Sequence, residues 1–374
     1  MSGRIRFANQ LRGLAAFSVA MSHMVGIYWA LPGVVSSVTY TPDQAGTPPW
    51  FIGLVSNPWF NPGPFGVAVF FLISGMVVPF SLQKHGRLSF LAARALRIFP
   101  TYAVALLIEF ILLHWAADAY HRPFGISATM LATNLLLVYD LVGQPSMDLV
   151  NWTLSVELKF YLLVALIVPL IRRGSAAGLL AVAVCILAGN ALLAAGVVGS
   201  LAAPASSPTH TISSHSLDIL YMLIGTAFNF HLRRLVSTAG LAALVAALAA
   251  LFVATWRLGV LRDQYPVVTL NYAYALVLFA ALYAVRRRIP ANAVLDAMAA
   301  ISFPFYVLHS LVGYLALRLL MDPLHVPYGV ALPVTLASVG LLAWFLHVMV
   351  ERPTARAGQR LADYGMRVPA HDNV

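Results

Sequence analysis

Ten apolar stretches, at about 10–30, 64–82, 97–117, 152–171, 176–198, 215–232, 236–256, 265–285, 298–320 and 330–350, divide this sequence. Each is long enough to cross the hydrocarbon core of a bilayer as a helix, which takes about 20 residues. In lipid a spanning segment has to satisfy its own backbone hydrogen bonds, so such stretches fold as helices. The fold class is therefore all-α: a polytopic membrane helical bundle of about ten transmembrane helices. No polar segment is long enough for a soluble domain. Residues 1–350 read as a single transmembrane domain and 351–374 as a polar cytoplasmic tail.

An eleventh stretch, 128–142, is apolar but short, and the basic residues decide its status. Arg172 and Arg173 follow the 152–171 span and belong on the cytoplasmic side. Residues 118–127 belong outside if the N-terminus is inside. One crossing is then needed between them, so 128–142 reads as interfacial or re-entrant. Both termini become cytoplasmic, in a multi-pass protein of the cell inner membrane. Eighteen of the 23 lysines and arginines then lie inside, four (Arg122, Arg257, Arg262, Arg318) lie outside, and Lys159 sits within a span. That asymmetry is the positive-inside rule. Trp29, Trp115, Trp152 and Trp256 fall at the outer helix ends, where an aromatic belt belongs.

Composition matters here for what it excludes. Only 10% of residues are charged, against roughly 25% in a soluble domain, while 60% are hydrophobic. The formal charge of +10 is accounted for by topology and calls for no nucleic acid partner. Cys185 is the only cysteine, which excludes disulfides and cysteine-ligated metal. Arg4, Arg6 and Arg12 precede an apolar core as in a signal peptide. There is no small-residue cleavage site and His23 interrupts the core, so the first helix reads as uncleaved. No metal or bound cofactor is expected, and there is no phosphate-cradling glycine loop, HExxH or G-x-S-x-G elbow.

The polar residues inside the spans carry the functional information. Arg12 and His23 are eleven residues apart in LRGLAAFSVAMSHM, three turns plus about 20°, and so share one helical face about 16 Å apart along the axis. An arginine at the membrane edge and an imidazole near mid-membrane cost too much to serve packing alone. His23 suits a general base toward a hydroxyl; a packing histidine is the alternative. Arg94 and Arg97 share a face at the cytoplasmic start of the third span, level with Arg12. Three arginines at one edge suit phosphates, although Arg94 and Arg97 alone also fit ordinary positive-inside flanking. Glu109 lies twelve residues beyond Arg97, near the depth of His23, where a carboxylate would orient the imidazole; a protonated packing glutamate is the alternative.

The segment NWTLSVELKFY puts Trp152, Ser155 and Lys159 on one face and Thr153 with Glu157 on the next, all at the outer end of a span, where Glu157 faces an acceptor or the neighbourhood of Lys159. Ser74 and Gly75 allow close helix approach. Ser302, Tyr306 and His309 share a face in the ninth span, which Pro304 is expected to kink. The loop 31–63 is rich in proline, tryptophan and phenylalanine, which suits a sugar or lipid headgroup, or equally an interfacial anchor. Residues 199–214 read as a flexible outer loop. No internal repeat points to an inverted-repeat transporter.

These residues resemble the integral-membrane acyltransferase-3 family, whose members O-acylate surface polysaccharides, related glycans, nodulation factors and macrolides. LRGLAAFSVAMSHM resembles its arginine-ten residues-histidine motif. GVAVFFLISGMVV, RALRIFPTY, NWTLSVELKFYLL, SFPFYVLH and the closing VERP follow in the family's order. Members often have two acidic residues and a glutamine where this chain reads Glu157, Leu158 and Lys159. The resemblance implies acyl-CoA, usually acetyl-CoA, as cytoplasmic donor substrate, and a carbohydrate or lipid-linked glycan acceptor outside. Together with the physical reading it makes His23, Glu109 and Glu157 the candidate catalytic residues. The candidate substrate-binding residues are Arg12, Arg94, Arg97, Ser74, Trp152, Ser155, Tyr306 and His309. Some members carry a fused hydrolase-like domain absent here, which implies direct delivery or a separate extracytoplasmic transferase partner. The rival classes are a flippase for a lipid-linked saccharide and a non-catalytic scaffold. Both are disfavoured because the polar residues cluster at one edge and one depth and do not line a full path.

Overall fold

The computed structural model describes residues 5–44, 46–55, 57–197, 207–264 and 266–365. Arg4, Arg367, the first part of the 199–214 loop and the end of the tail lie outside the described residues. The helices are α1 (Arg6–Ala30), α2 (Pro32–Thr39), α3 (Pro62–Lys84), α4 (Arg87–Ala119) and α5 (Ala128–Leu135). They continue with α6 (Trp152–Leu166), α7 (Val168–Arg173), α8 (Ala176–Ala194), α9 (Pro208–Leu232) and α10 (Thr238–Leu258). The last are α11 (Val267–Ala284), α12 (Ala293–Leu308), α13 (Leu311–Met321), α14 (Tyr328–Leu346) and α15 (Arg352–Gly365). No strand occurs among the described residues.

The helix starts are written in the sequence. Ser127, Ser175, Ser207 and Ser237 each accept a hydrogen bond from the backbone N–H three residues on, and so cap α5, α8, α9 and α10. Asn61 and Asn292 cap α3 and α12, and Pro62 and Pro208 occupy first-turn positions whose N–H has no helical partner anyway.

Among the described residues, seven helices are long and apolar enough to span a membrane, or eight if the bent pair α12–α13 counts as one. The other two of the ten expected spans depart from that pattern. The 152–171 stretch is the 15-residue α6, which ends at Leu166 and gives way to α7 with a proline in its first turn. The 215–232 stretch belongs to the 25-residue α9, long enough but carrying His210, His215 and Asp218. The 128–142 stretch holds only the eight-residue α5 followed by turns. At 1.5 Å per residue that helix is about 12 Å long, less than half the hydrocarbon core. The ninth expected span breaks at His309–Ser310, where α12 and α13 diverge by 77°. Pro304 lies within α12 and is not the bend. The last span runs without a break past residue 350, through a π-helical turn at His347–Glu351 into α15, which packs on α4.

The centre of the bundle is α3, packed against α1, α9 and α11, with α1 also against α12. Nearly every residue of α9 from Leu217 to Phe230 is buried. Glycines set the closest approaches. A Cβ on Gly75 of α3 would lie 1.9 Å from the Met222 carbonyl oxygen of α9, and one on Gly225 would lie 2.3 Å from that of Leu72. The two helices therefore touch backbone to backbone, as small residues permit in membranes. In the 31–63 loop, Trp50, Leu54 and Trp59 are exposed.

Candidate active site

Two cavities open between these helices. The smaller, about 130 Å³, is lined by Arg12 and Asn9 of α1, Ser74 of α3, Arg94 and Arg97 of α4, Thr153, Glu157 and Tyr161 of α6, and Ser302 and Tyr306 of α12. The larger, about 720 Å³, is lined by His23, Trp152, Tyr306 and a set of polar groups from α9 and from the turns before α6. Val67 and Tyr306 belong to both walls, so the cavities meet there.

The arginine cavity brings together three residues that the sequence placed at one depth. Arg12 donates to the Ala299 carbonyl at 2.9 Å, and its Nε has no partner. Arg94 is buried, donates to Ser81 Oγ at 2.5 Å, and lies 5.6 Å and 5.3 Å from the Phe90 and Tyr161 rings. Among the described residues Arg97 has no hydrogen-bond or ion-pair partner, which leaves its guanidinium for a ligand. Glu157 Oε1 accepts from Ser74 Oγ at 3.1 Å and from Tyr161 Oη at 2.5 Å. Glu157 thus belongs to the arginine cavity and not to the acceptor end expected for it. Lys159, two residues on, points to the other side and pairs with Asp140 at 2.8 Å. The two faces of α6 read from the sequence are real: Thr153 with Glu157, and Ser155 with Lys159.

His23 stands within a π-helical turn, Ser22–Ile27, inserted in α1. Such turns re-aim side chains and are frequent at functional sites. Its Nδ1 lies 2.9 Å from Tyr314 Oη, and the His309 ring meets it edge to face at 5.0 Å. His309 is fully buried, with Nδ1 2.7 Å from the Tyr306 carbonyl and Nε2 unpartnered. Tyr306 Oη bonds Thr153 Oγ1 at 2.9 Å at the junction of the cavities. Trp152 lies on the His23 cavity wall, and Ser155 bonds Asp140 Oδ2 at 2.6 Å. Glu109 lines neither cavity; it is buried with Oε1 unpartnered. Equal depth did not make it a neighbour, because α1 packs on α3 and α12 while α4 lies elsewhere.

Sequence reasoning passed over Tyr314, Asp148, Asp140, His215 and Asp218. Each is an isolated polar residue in or beside an apolar stretch, which was the available signal. Asp148, in the turns between α5 and α6 and outside the spans, is buried and accepts a hydrogen bond from Ser310 at the α12–α13 break. Burial pushes its carboxyl up to about 7, against the opposing pull of hydrogen bonds from Ser310, Leu149 and Val150. A carboxyl raised above its unfolded value of about 4 binds more protons in the native state, so stability falls as pH rises from about 4 to about 7 and then levels. Asp148→Asn is expected to flatten that part of the Tm-against-pH curve in detergent. Parallel wild-type and variant curves would contradict the burial of an ionisable group there.

A model of an acyltransferase domain, that of the acyltransferase-3 family, matches residues 5–348. The chain is similar to Acyltransferase MdmB of Streptomyces mycarofaciens, 31% identical over 136 residues, covering 33% of this chain and 35% of that protein. It is also similar to Nodulation protein 10 of Rhizobium leguminosarum bv. viciae, 35% identical over 139 residues, covering 33% of this chain and 38% of that protein. The matches thus span little more than a third of these relatives' length. No solved structure matches.

Proposed function

This chain belongs to the acyltransferase-3 family of membrane acyltransferases, and from that premise we propose that it moves an acetyl group from cytoplasmic acyl-CoA to a hydroxyl of an extracytoplasmic carbohydrate or similar acceptor. The observation that carries the reading is the meeting of an arginine-lined cavity with a His23-lined cavity at Val67 and Tyr306. Arg12, Arg94 and Arg97 suit the CoA phosphates, which guanidinium groups bind as charged forks. The pantetheine arm then follows α1 toward His23, about 16 Å along the axis.

His23 supplies the proton chemistry. With its proton on Nδ1, donated to Tyr314 Oη, the ring keeps Nε2 as a base. Nε2 takes the acceptor O–H proton as the oxygen attacks the thioester carbonyl. The tetrahedral intermediate collapses, the C–S bond breaks, and the CoA sulfur leaves with the proton returned from His23. The products are an ester and free CoA. Relay of the acyl group through His23 itself is the less favoured variant. Glu109 has no part in this scheme; Tyr314 takes the orienting role. Glu157, among the arginines, balances charge in the donor cavity and holds Ser74.

Arg97→Ala is expected to weaken acyl-CoA binding about 10- to 100-fold, the worth of one or two charge-assisted hydrogen bonds, with kcat much less affected. Titration calorimetry on purified chain measures it, and an unchanged Kd would remove Arg97 from the donor site. For the function itself, surface glycans and secreted small metabolites are compared by mass spectrometry in cells with and without the chain. The proposal expects an acyl mass difference that names donor group and acceptor together. Identical products, with a lipid-linked saccharide stranded on one leaflet, would instead make the protein a flippase.

A further inference from the structure

The larger cavity is also lined by two histidines that the scheme above leaves unused, His210 and His215. His215 of α9 turns Nδ1 toward Asp140, 3.5 Å from its Oδ2. Both residues are more than nine-tenths buried and both lie on the cavity wall. Asp140 is held from behind: its Oδ2 also accepts from Lys159 Nζ at 2.8 Å and Ser155 Oγ at 2.6 Å, and its backbone carbonyl accepts from Thr211 Oγ1 at 3.2 Å. The lysine gives that carboxyl a basic partner beside the imidazole. Asp140 Oδ1 is buried without a hydrogen-bond partner, as is His215 Nδ1 apart from its contact with Oδ2.

A carboxylate behind Nδ1 leaves Nε2 as the ring nitrogen free for a ligand, the orientation that imidazole–carboxylate pairs use to handle a hydroxyl. The surroundings agree. Asp218, bonded to Tyr272 Oη at 2.8 Å, and Gln144, Gln264 and Trp152 share the same wall. Carboxylates and amides interleaved with aromatic faces are the chemistry that holds a sugar ring, with polar groups on hydroxyls and rings on C–H faces.

We infer that Asp140 and His215 form an acceptor-binding site that takes a hydroxyl of a polyhydroxylated ring, the hydroxyl being acylated lying toward His23. This rests on the acyl-transfer reading and adds to it the group that fixes which hydroxyl reacts. His215 is here a binding residue and His23 the base.

The test uses methyl β-D-glucopyranoside as probe on the whole purified chain. Diethyl pyrocarbonate carbethoxylates accessible imidazoles, and peptide mass spectrometry reports the label at His215 and His23 separately. The glycoside is expected to remove most of the label at His215. Its tetra-O-methyl derivative, which has no O–H, is expected to leave the label in place, and Asp140→Asn is expected to lose the protection. In turnover with acetyl-CoA, His215→Ala should raise the KM for the glycoside about tenfold, as loss of one hydrogen bond does, and His215→Gln should recover part of it. Absence of protection at His215, or protection at His23 alone, overturns the inference, as does an unchanged glycoside KM in His215→Ala. The labelling arm needs no acyl-CoA. If the wild-type chain consumes none while His215 is still protected, the acyl-transfer reading fails and the hydroxyl site stands.

Discussion

His23→Ala is expected to lower acyl transfer about 10²- to 10⁴-fold, the range that loss of a general base produces, while the chain still binds acyl-CoA. The two effects separate because His23 lines the larger cavity and the arginines line the smaller. The ring is placed by its surroundings: the π-helical turn aims it, Tyr314 holds Nδ1, and His309 packs against its face. Removing the imidazole leaves the donor in place without a base for the incoming hydroxyl. Tyr314→Phe should show a smaller loss in kcat with the same binding, because it frees the ring without deleting it. Initial rates with labelled acetyl-CoA and equilibrium CoA binding on the same preparation check both. Wild-type rates in His23→Ala would end its catalytic assignment.

The second large effect is on folding. Gly75→Val is expected to abolish recovery of monodisperse protein in detergent. At 1.9 Å from the Met222 carbonyl a Cβ has no room, and the obstacle is backbone that no rotamer change moves. Separating α3 from α9 also separates the walls of the larger cavity, since α3 gives Val67 and α9 gives His215 and Asp218 to it. Gly75→Ala should show a milder form of the same loss. Gly189→Ala is the control: nothing lies within 4 Å of its Cβ position, and alanine is the better helix former. Fluorescence-detected size exclusion of tagged chains reads all three. A wild-type profile for Gly75→Val would mean that α3 and α9 do not touch there.

What the sequence made legible was local. Periodicity alone put Arg12 and His23 on one stripe, and they line the two cavities that meet at Val67 and Tyr306. It separated Thr153 and Glu157 from Ser155 and Lys159 on α6, and the structure sends the two pairs to different partners. The short 128–142 stretch read as non-spanning and holds an eight-residue helix. What failed was non-local. Depth along a helix says nothing about which neighbour it faces, so Glu109 matched His23 in height and still lies away from it. Hydropathy does not register a break between two apolar helices, so the 77° bend at His309–Ser310 is not legible in it, and Pro304, the visible kink signal, lies inside α12. Nor does a 3.6-residue period predict a π-helical turn. Asp140 and His215 are 75 residues apart in sequence, and only the packing of α9 on the turns before α6 makes them a pair.

On the proposed function, donor and acceptor enter from opposite sides and meet at Val67 and Tyr306. This is tested most directly in sealed vesicles of known orientation that carry the purified chain. Labelled acetyl-CoA, which does not cross a bilayer, is supplied to the face bearing Arg12, Arg94 and Arg97, and hydroxylated acceptor to the other face only. Free CoA is expected on the first side and labelled ester on the second. Label that stays with CoA, or ester formed only when donor and acceptor share a side, would contradict it.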